Sequence, residues 1–300
     1  MIVILNRAAG TSDAGAQELD DKIAQLFARH GRQLRIMHPD ENADLSALAK
    51  QAAESDETTI VAGGGDGTVS AVASALARTD KVLGVLPLGT LNHFAKDLAI
   101  PLELAAAVDT IVSGHVAHVD LGEVNGRTFI NNSSLGIYPA IVANREAQQE
   151  QLSRGKWPAF VWATLRAFRR FPFLHLRITV EERQLDRRTA FLFVGNNEYQ
   201  MAGFNLGTRP CLDAGKLGLY LTHRTGRLGL FRLALRALLG RLEQAEDFEA
   251  FCVTEAAIET RHARLLVATD GEVRWMTTPL HYQIRPAALR VLVPRPKDAA

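Results

Sequence analysis

Apolar and polar positions follow one rhythm in the first third of the chain and another afterwards. "IVILN" near the N-terminus is an unbroken apolar run, as expected of a strand covered on both faces. Residues 13–30 then carry helical spacing, with Leu19, Ile23, Leu26 and Phe27 on one face. "LRIMH" predicts a second strand and 42–54 a second helix. "TTIVA" and 68–78 form a third pair, and "VLGVLPLG" is a fourth strand followed by short helical segments through residue 113. Strand and helix in strict turn predict a parallel sheet covered by helices, and such sheets bind ligands at the carboxyl ends of their strands.

Near residue 116 the period changes. "VDLGEVNGRTFIN" sets two extended runs around Asn125-Gly126, a strong hairpin signal. "LHLRITVEE", "TAFLFVGN", "LGLYLT", "FEAFCVTEAAIE", "RLLVATDGEVRW" and "LHYQIRP" follow, joined by short turns. These runs predict a second domain that is mainly antiparallel β. The last run, "LRVLVP", is compatible with either domain. With no internal repeat and no low-complexity linker, the boundary near residue 118 is a change of period rather than of composition.

Composition narrows the class. The 300 residues are 47% apolar and 22% charged, ordinary for a soluble globular chain of one large or two average domains. A net charge of +1 gives no footprint for nucleic acid. Cys211 and Cys252 have no CxxC partners, so no disulfide framework or zinc site is expected and a reducing compartment fits. The N-terminus lacks a basic segment ahead of a signal-length apolar run, and no apolar stretch reaches the roughly 20 residues of a membrane span. The expectation is a cytoplasmic, soluble protein.

Three loops carry candidate chemistry. In "GGGDGT", residues 63–68, glycines let backbone amides approach an anion, and Thr68 is placed to cap a helix whose N-terminus favours negative charge. The loop has no Lys after its last Gly and does not match GxGxxG, so neither a Walker A loop nor the ordinary dinucleotide fingerprint applies. A lone glycine cluster reads equally well as a tight strand-to-helix turn. Asp66 would repel a phosphate unless a cation intervened, and so points to Mg²⁺ with a nucleotide. "LPLGTLNHFAKDL", residues 86–98, also follows a strand; alone it reads as a helix start capped by Asn92. In "ATDGEVRW", Asp270 and Glu272 flank Gly271, which alone reads as a hairpin turn and otherwise as a general base with its partner. A fourth feature is basic and aromatic. Residues 151–180 hold Arg154, Lys156, Arg166, Arg169, Arg170 and Arg177 without an acid, and 223–242 hold Arg224, Arg227, Arg232, Arg236 and Arg241. Either helix alone reads as packed on a sheet with solvated arginines; together they suit an anionic membrane surface.

Taken in order, these segments resemble the diacylglycerol kinase catalytic-domain family, shared by bacterial soluble lipid kinases and sphingosine kinases. "GGGDGT" is similar to its nucleotide loop, "PLGTLNHFAKDL" to its GT-x-N-D-F-A-R segment, and "LNRAAG" to its opening N-P-x-x-G. "VDLGEVNGRTFINNSSLG" resembles the crossing into the β domain, with Asp120 and Asn131 at matching positions; "LDAGKLGLYL" resembles D-D-G-x-L, and "TDGE" the late D-G-E. The resemblance spans nearly the whole chain. It implies an α/β fold with an N-terminal parallel-sheet nucleotide-binding domain, 1–118, and a C-terminal mainly antiparallel β-sandwich, 119–288, with the active site between them. In the family the last strand often returns to the first domain, which puts 289–300 there. It implies transfer of the ATP γ-phosphoryl group to a lipid hydroxyl with Mg²⁺. Asp66 would act at nucleotide and metal, and Asn6, Gly64, Gly65, Gly67, Thr68, Thr90 and Asn92 would line the nucleotide site. Asp270 would be the general base, oriented by Glu272. Some relatives hold a structural metal near the position of Asp213.

The chain departs from the family pattern at Arg7 for Pro, at His93 for the acid after Asn92, and at Ala214 for the second Asp of D-D-G. Two other readings compete with a lipid kinase. NAD kinase shares a GGDGT loop, but the GT-x-N-x-F-A-K segment and the basic aromatic helices speak against it. A non-catalytic lipid- or nucleotide-binding protein on the same fold is opposed by the retained Asp66, Asp270 and Glu272.

Overall fold

The protein is described by a computed structural model over residues 1–6, 13–39, 44–136, 139, 173–199, 209–222 and 248–295. The chain divides into two compact units, Met1–Leu121 with Arg285–Ala300, and Gly122–Ile284. Most of both basic aromatic segments, 151–172 and 223–242, lies outside the described residues, as does Arg7.

In the first unit, strands β1 (Ile2–Leu5), β2 (Arg35–Met37), β3 (Thr59–Gly64) and β4 (Val82–Pro87) alternate with helices α1 (Asp13–Arg29), α2 (Leu45–Ala53) and α3 (Asp66–Leu76). Two further helices, α4 (His93–Asp97) and α5 (Leu104–Ser113), follow β4. The strands are parallel in the order β2-β1-β3-β4. Burial on both faces explains the unbroken apolar runs: every residue of β1 and all but the first of β3 are buried. Ile23 and Phe27 of α1, one turn apart, are fully buried with Ala107, Val108 and Ile111 of α5 against β1, β3 and β4. Burial of a side chain the size of Phe27 stabilises by about 1.5–3 kcal/mol. Caps fix the helix starts. Asp44 accepts the Ser46 N–H at 3.0 Å, and Glu103 accepts the Ala105 and Ala106 N–H groups at 3.0 and 2.8 Å. Those two amide bonds hold the Glu103 carboxyl below its ordinary range.

The second unit is antiparallel. Asn125 and Gly126, with φ of 47° and 81°, turn β5 (His115–Val124) into β6 (Arg127–Phe129), as the hairpin signal predicted. One sheet holds β8 (Leu174–Val180), β9 (Arg183–Thr189), β13 (Glu255–Thr260) and the first part of β16 (Leu280–Val293). The other runs β12 (Phe248–Val253), β11 (Leu217–Thr222), β10 (Phe191–Asn196), β7 (Asn132–Gly136), β14 (Arg264–Thr269), β15 (Glu272–Thr277). Leu135, Val194, Leu219 and Val267 of the second sheet pack with Ile178, Ile258, Leu280 and Tyr282 of the first, so the core of this unit is a sandwich. The run "FEAFCVTEAAIE" breaks at Thr254 and places its halves in different sheets.

"LHYQIRP" and "LRVLVP" turn out to be one strand. β16 pairs antiparallel with β13 through Leu280–Gln283 and parallel with β4 through Arg290 and Val291. Between these stretches Ala287 takes φ of 51° just after Pro286. The buried Asp120 carboxylate accepts the Ala287 N–H at 2.9 Å and pins the bend.

Candidate functional site

β2 and β3 flank β1 on opposite sides, so the chain reverses its winding direction between β1 and β3. Clefts at such switch points, outside the carboxyl ends of the strands, are where open α/β sheets bind ligands. Asn6 follows β1 there and the glycine cluster ends β3. The Asn6 side chain donates to Thr68 Oγ1 at 3.1 Å, and its N–H donates to the Gly63 carbonyl at 2.9 Å.

The glycine loop is tighter than the sequence implied. β3 continues through Gly63 and Gly64, and α3 starts at Asp66, so Gly65 alone is the joint. Thr68 therefore does not cap the helix; it lies in the first turn, buried, as the acceptor for Asn6. Gly64 is required by that packing, because a Cβ would lie 2.5 Å from Thr68 Oγ1. Gly67 is exposed, and a Cβ there would meet nothing within 4 Å. Asp66 is half-buried and accepts the Phe94 N–H at 3.4 Å, which ties the first turn of α3 to α4.

The second loop closes on the first. A Cβ on Gly89 would overlap the Gly65 Cα and lie 2.9 Å from Asn92 Oδ1, so the two loops touch backbone to backbone. Asn92 adopts φ 49° and ψ 47°, and its side chain makes no cap bond. Its amide turns back into its own loop, accepting from Gly89 N–H at 3.1 Å and donating to the carbonyls of Gly89 at 2.7 Å and Pro87 at 3.3 Å. Asn92 is buried and holds the loop in shape, whereas Thr90 and His93 are exposed.

In the second unit, Asp270 and Gly271 have φ of 48° and 89° and form the β14–β15 hairpin turn. The turn is also a carboxylate platform. Three consecutive backbone N–H groups converge on Asp270: Ile130 on Oδ2 at 2.8 Å, and Asn131 and Asn132 on Oδ1 at 2.8 and 3.1 Å. Successive amides of an extended strand point opposite ways, so this convergence marks a break between β6 and β7, an anion-binding concavity filled by the protein's own carboxylate. Glu272 does not orient Asp270. It accepts from Arg127 at 2.5 Å and Arg274 at 3.4 Å, while Arg127 Nε reaches Thr269 Oγ1 at 3.2 Å. The backbone of residues 130–132 performs the orienting role expected of Glu272.

Sequence reasoning passed over a buried group behind that backbone. Arg209 donates to the carbonyls of Ile130 at 2.6 Å and Asn196 at 3.1 Å, and to Asn131 Oδ1 at 2.7 Å, with its guanidinium 5.4 Å from the Tyr199 ring centroid. The Tyr199 hydroxyl donates to the Asn131 carbonyl at 3.1 Å. "GTRPCLDAG" offers no periodicity from which burial of Arg209 could be read. Ser133 and the buried Tyr282 share a hydroxyl bond of 2.9 Å, and burial drives the Tyr282 hydroxyl pKa upward. Burial likewise pushes Tyr220 up to about 12.

Asp213 is exposed, and among the described residues no group of three or more His, Cys, Asp or Glu side chains is placed to hold a metal. A single half-buried carboxylate such as Asp66 is nevertheless a fitting donor set for Mg²⁺, which commonly takes one or two carboxylates and completes its shell with phosphate oxygens and water. No helix among the described residues is long and apolar enough to cross a membrane.

Comparison with known proteins agrees with this architecture. Residues 1–124 match the family model of the diacylglycerol kinase catalytic domain, and 136–293 match that of the YegS C-terminal NAD kinase beta sandwich-like domain. A Pseudomonas aeruginosa PAO1 protein named "Probable lipid kinase YegS-like" is 30% identical over 98% of this chain and 94% of its own length. The Bacillus subtilis 168 diacylglycerol kinase is 39% identical over 37% of each chain. A Bacillus anthracis Sterne diacylglycerol kinase structure shares the fold, with a TM-score of 0.69 and 22% identity over 97% of this chain and 96% of that one. Yeast NADH kinase shares it more distantly, with a TM-score of 0.55 and 11% identity over 99% of this chain and 84% of that one.

Proposed function

The chain belongs to the family defined by the diacylglycerol kinase catalytic domain, and on that premise we propose that it transfers the γ-phosphoryl group of ATP to a lipid hydroxyl. The observation that carries this reading is the β3–Gly65–α3 joint at the switch point. It presents the N-terminus of an 11-residue helix, an open backbone at Gly67 and the Asp66 carboxylate together. In this reading the amides of Gly65 and Gly67 take the phosphates, Asn6 and Thr68 brace the joint, and the Thr90 hydroxyl completes the nucleotide contacts. Gly64 and Asn92 act one step back, by keeping the loops in shape. Asp66 would hold Mg²⁺, which neutralises charge developing on the transferred group.

Asp270 accepts the proton of the acceptor hydroxyl. Three backbone N–H groups hold its carboxylate in one orientation. A loose phosphoryl-transfer transition state needs no more than that, because the hydroxyl gives up its proton late and must chiefly be aimed. Arginines in 151–172 and 223–242 would bring the protein to an anionic membrane surface from the cytoplasmic side. The test is a panel of hydroxylated lipids in mixed micelles with Mg-ATP, followed by labelled phosphate transfer. Phosphorylation of at least one lipid is expected. NADP formation from NAD would move the chain to the nucleotide-kinase reading, and tight binding of ATP and lipid without turnover under several metals would reduce it to a binding protein.

A further inference from the structure

We propose that Arg209 is a positioning residue for Asp270, acting through the peptide group that joins Ile130 to Asn131; this rests on the reading of Asp270 as proton acceptor. The carbonyl of that peptide accepts from Arg209 Nη1 at 2.6 Å, and its N–H donates to Asp270 Oδ1 at 2.8 Å. A trans peptide points these two groups in opposite directions, so a guanidinium and a carboxylate lie at the two ends of one amide dipole. Each charge polarises the amide in the sense that strengthens the other bond.

The cation is built in rather than incidental. Arg209 is 4% exposed, its fork also grips Asn131 Oδ1 at 2.7 Å, and the Asn196 side chain donates to the same Ile130 carbonyl at 2.9 Å. A buried guanidinium is costly to desolvate, and a strand break such as 130–132 could be stabilised by neutral donors alone. What a fixed cation adds is a field that favours the ionised form of the carboxylate across the amide, and a rigid fork that sets where three N–H groups point. Among the described residues, Arg127 and Glu272 at the turn pair with each other, and Arg274 lies on Glu272. They do not replace Arg209 on the opposite side of the backbone.

The test compares Arg209→Lys, Arg209→Gln and Asp270→Asn with the parent in lipid kinase assays across pH. Arg209→Gln is expected to lower kcat about 10²-fold, the effect of a misplacement of about 1 Å. The acidic limb of its kcat profile is expected at higher pH, with KM for Mg-ATP little changed. Arg209→Lys keeps the charge but not the fork; kcat is expected to fall while the acidic limb stays in place. Without reference to activity, the Asp270 carboxyl carbon resonance should titrate at higher pH in Arg209→Gln than in the parent. Should Arg209→Gln fail to fold, Arg209→Lys decides: parental kcat in that variant overturns the proposal. A folded Arg209→Gln with lowered thermal stability and an unmoved pH profile also overturns it. Parental turnover in Asp270→Asn would instead remove Asp270 as the proton acceptor, whatever the Arg209 variants do.

Discussion

Gly89→Ala tests whether the loops at Gly65 and Gly89 work as one unit. The new methyl would overlap the Gly65 Cα and approach Asn92 Oδ1 to 2.9 Å. Carbon atoms in contact prefer about 3.5–4.0 Å, so the loops must part by about 1 Å. The obstruction is backbone, not the end of a flexible side chain, and it cannot rotate away. Overpacking of this kind costs about 1–3 kcal/mol, which at ~2–8 °C per kcal/mol is visible in a thermal melt. The same shift of about 1 Å moves the Gly65 amide away from a bound phosphate, and misplacement on that scale lowers turnover about 10²-fold. The control is Gly67→Ala, whose methyl meets nothing within 4 Å. Inside the first turn of α3, Ala is favoured over Gly by about 0.5–1 kcal/mol. The control should therefore melt no lower than the parent while KM for Mg-ATP rises, because the methyl occupies the surface that phosphate approaches. Scanning calorimetry with steady-state kinetics on both variants separates packing from ligand approach. Parental melting and parental kcat in Gly89→Ala would refute the contact between the loops, and parental KM in Gly67→Ala would refute phosphate binding at that turn.

Other expectations follow from the same geometry. Asp66→Ala should fold and lose most kcat, with Mg²⁺ titration no longer restoring turnover; parental metal dependence would remove Asp66 from the metal site. The two buried tyrosines should make stability fall above about pH 10, since unfolded tyrosine ionises near 10 whereas Tyr220 is held near 12 and Tyr282 is also raised. Above pH 10 the unfolded chain releases protons that the folded chain keeps, and Tyr220→Phe should flatten part of that fall in denaturant melts. Tyr282→Phe strands the Ser133 hydroxyl in the core and should cost about 1 kcal/mol in a urea melt. Binding to anionic vesicles should weaken between low and high salt; salt-independent binding would contradict an arginine-driven surface.

Much of the architecture was legible because burial dictates period. Strands covered on both faces read as apolar runs, and the Asn125-Gly126 and Asp270-Gly271 turns announced themselves through residues that tolerate positive φ. β9, "RQLDRRT", was not legible. Among the described residues it pairs only with β8, at the edge of its sheet, and charge at an edge guards against stray pairing rather than signalling a strand. β16 reads as two strands because Pro286 interrupts the apolar pattern, and only the distant Asp120 makes the bend continuous. Among the candidate site residues, identity was easier to read than job. Asn92 and Thr68 are polar residues of the two glycine-rich segments, yet their bonds turn inward; Glu272 sits two residues from Asp270 and answers to Arg127. Arg209 depends on contacts up to 79 residues away in sequence, which no local pattern encodes.

The bend in β16 also bears on how the chain comes off the ribosome. The strand that pairs with β4 in the N-terminal sheet is encoded some two hundred residues downstream of it, around Arg290 and Val291. At ~5–20 residues per second, that edge of β4 waits about 10–40 s for its neighbour while some two hundred residues are still being synthesised. An unpaired parallel edge is an invitation to foreign strands for all of that time. A fragment ending at residue 121 would keep that exposure permanently, so it should aggregate, and a version carrying 285–295 fused behind it should not.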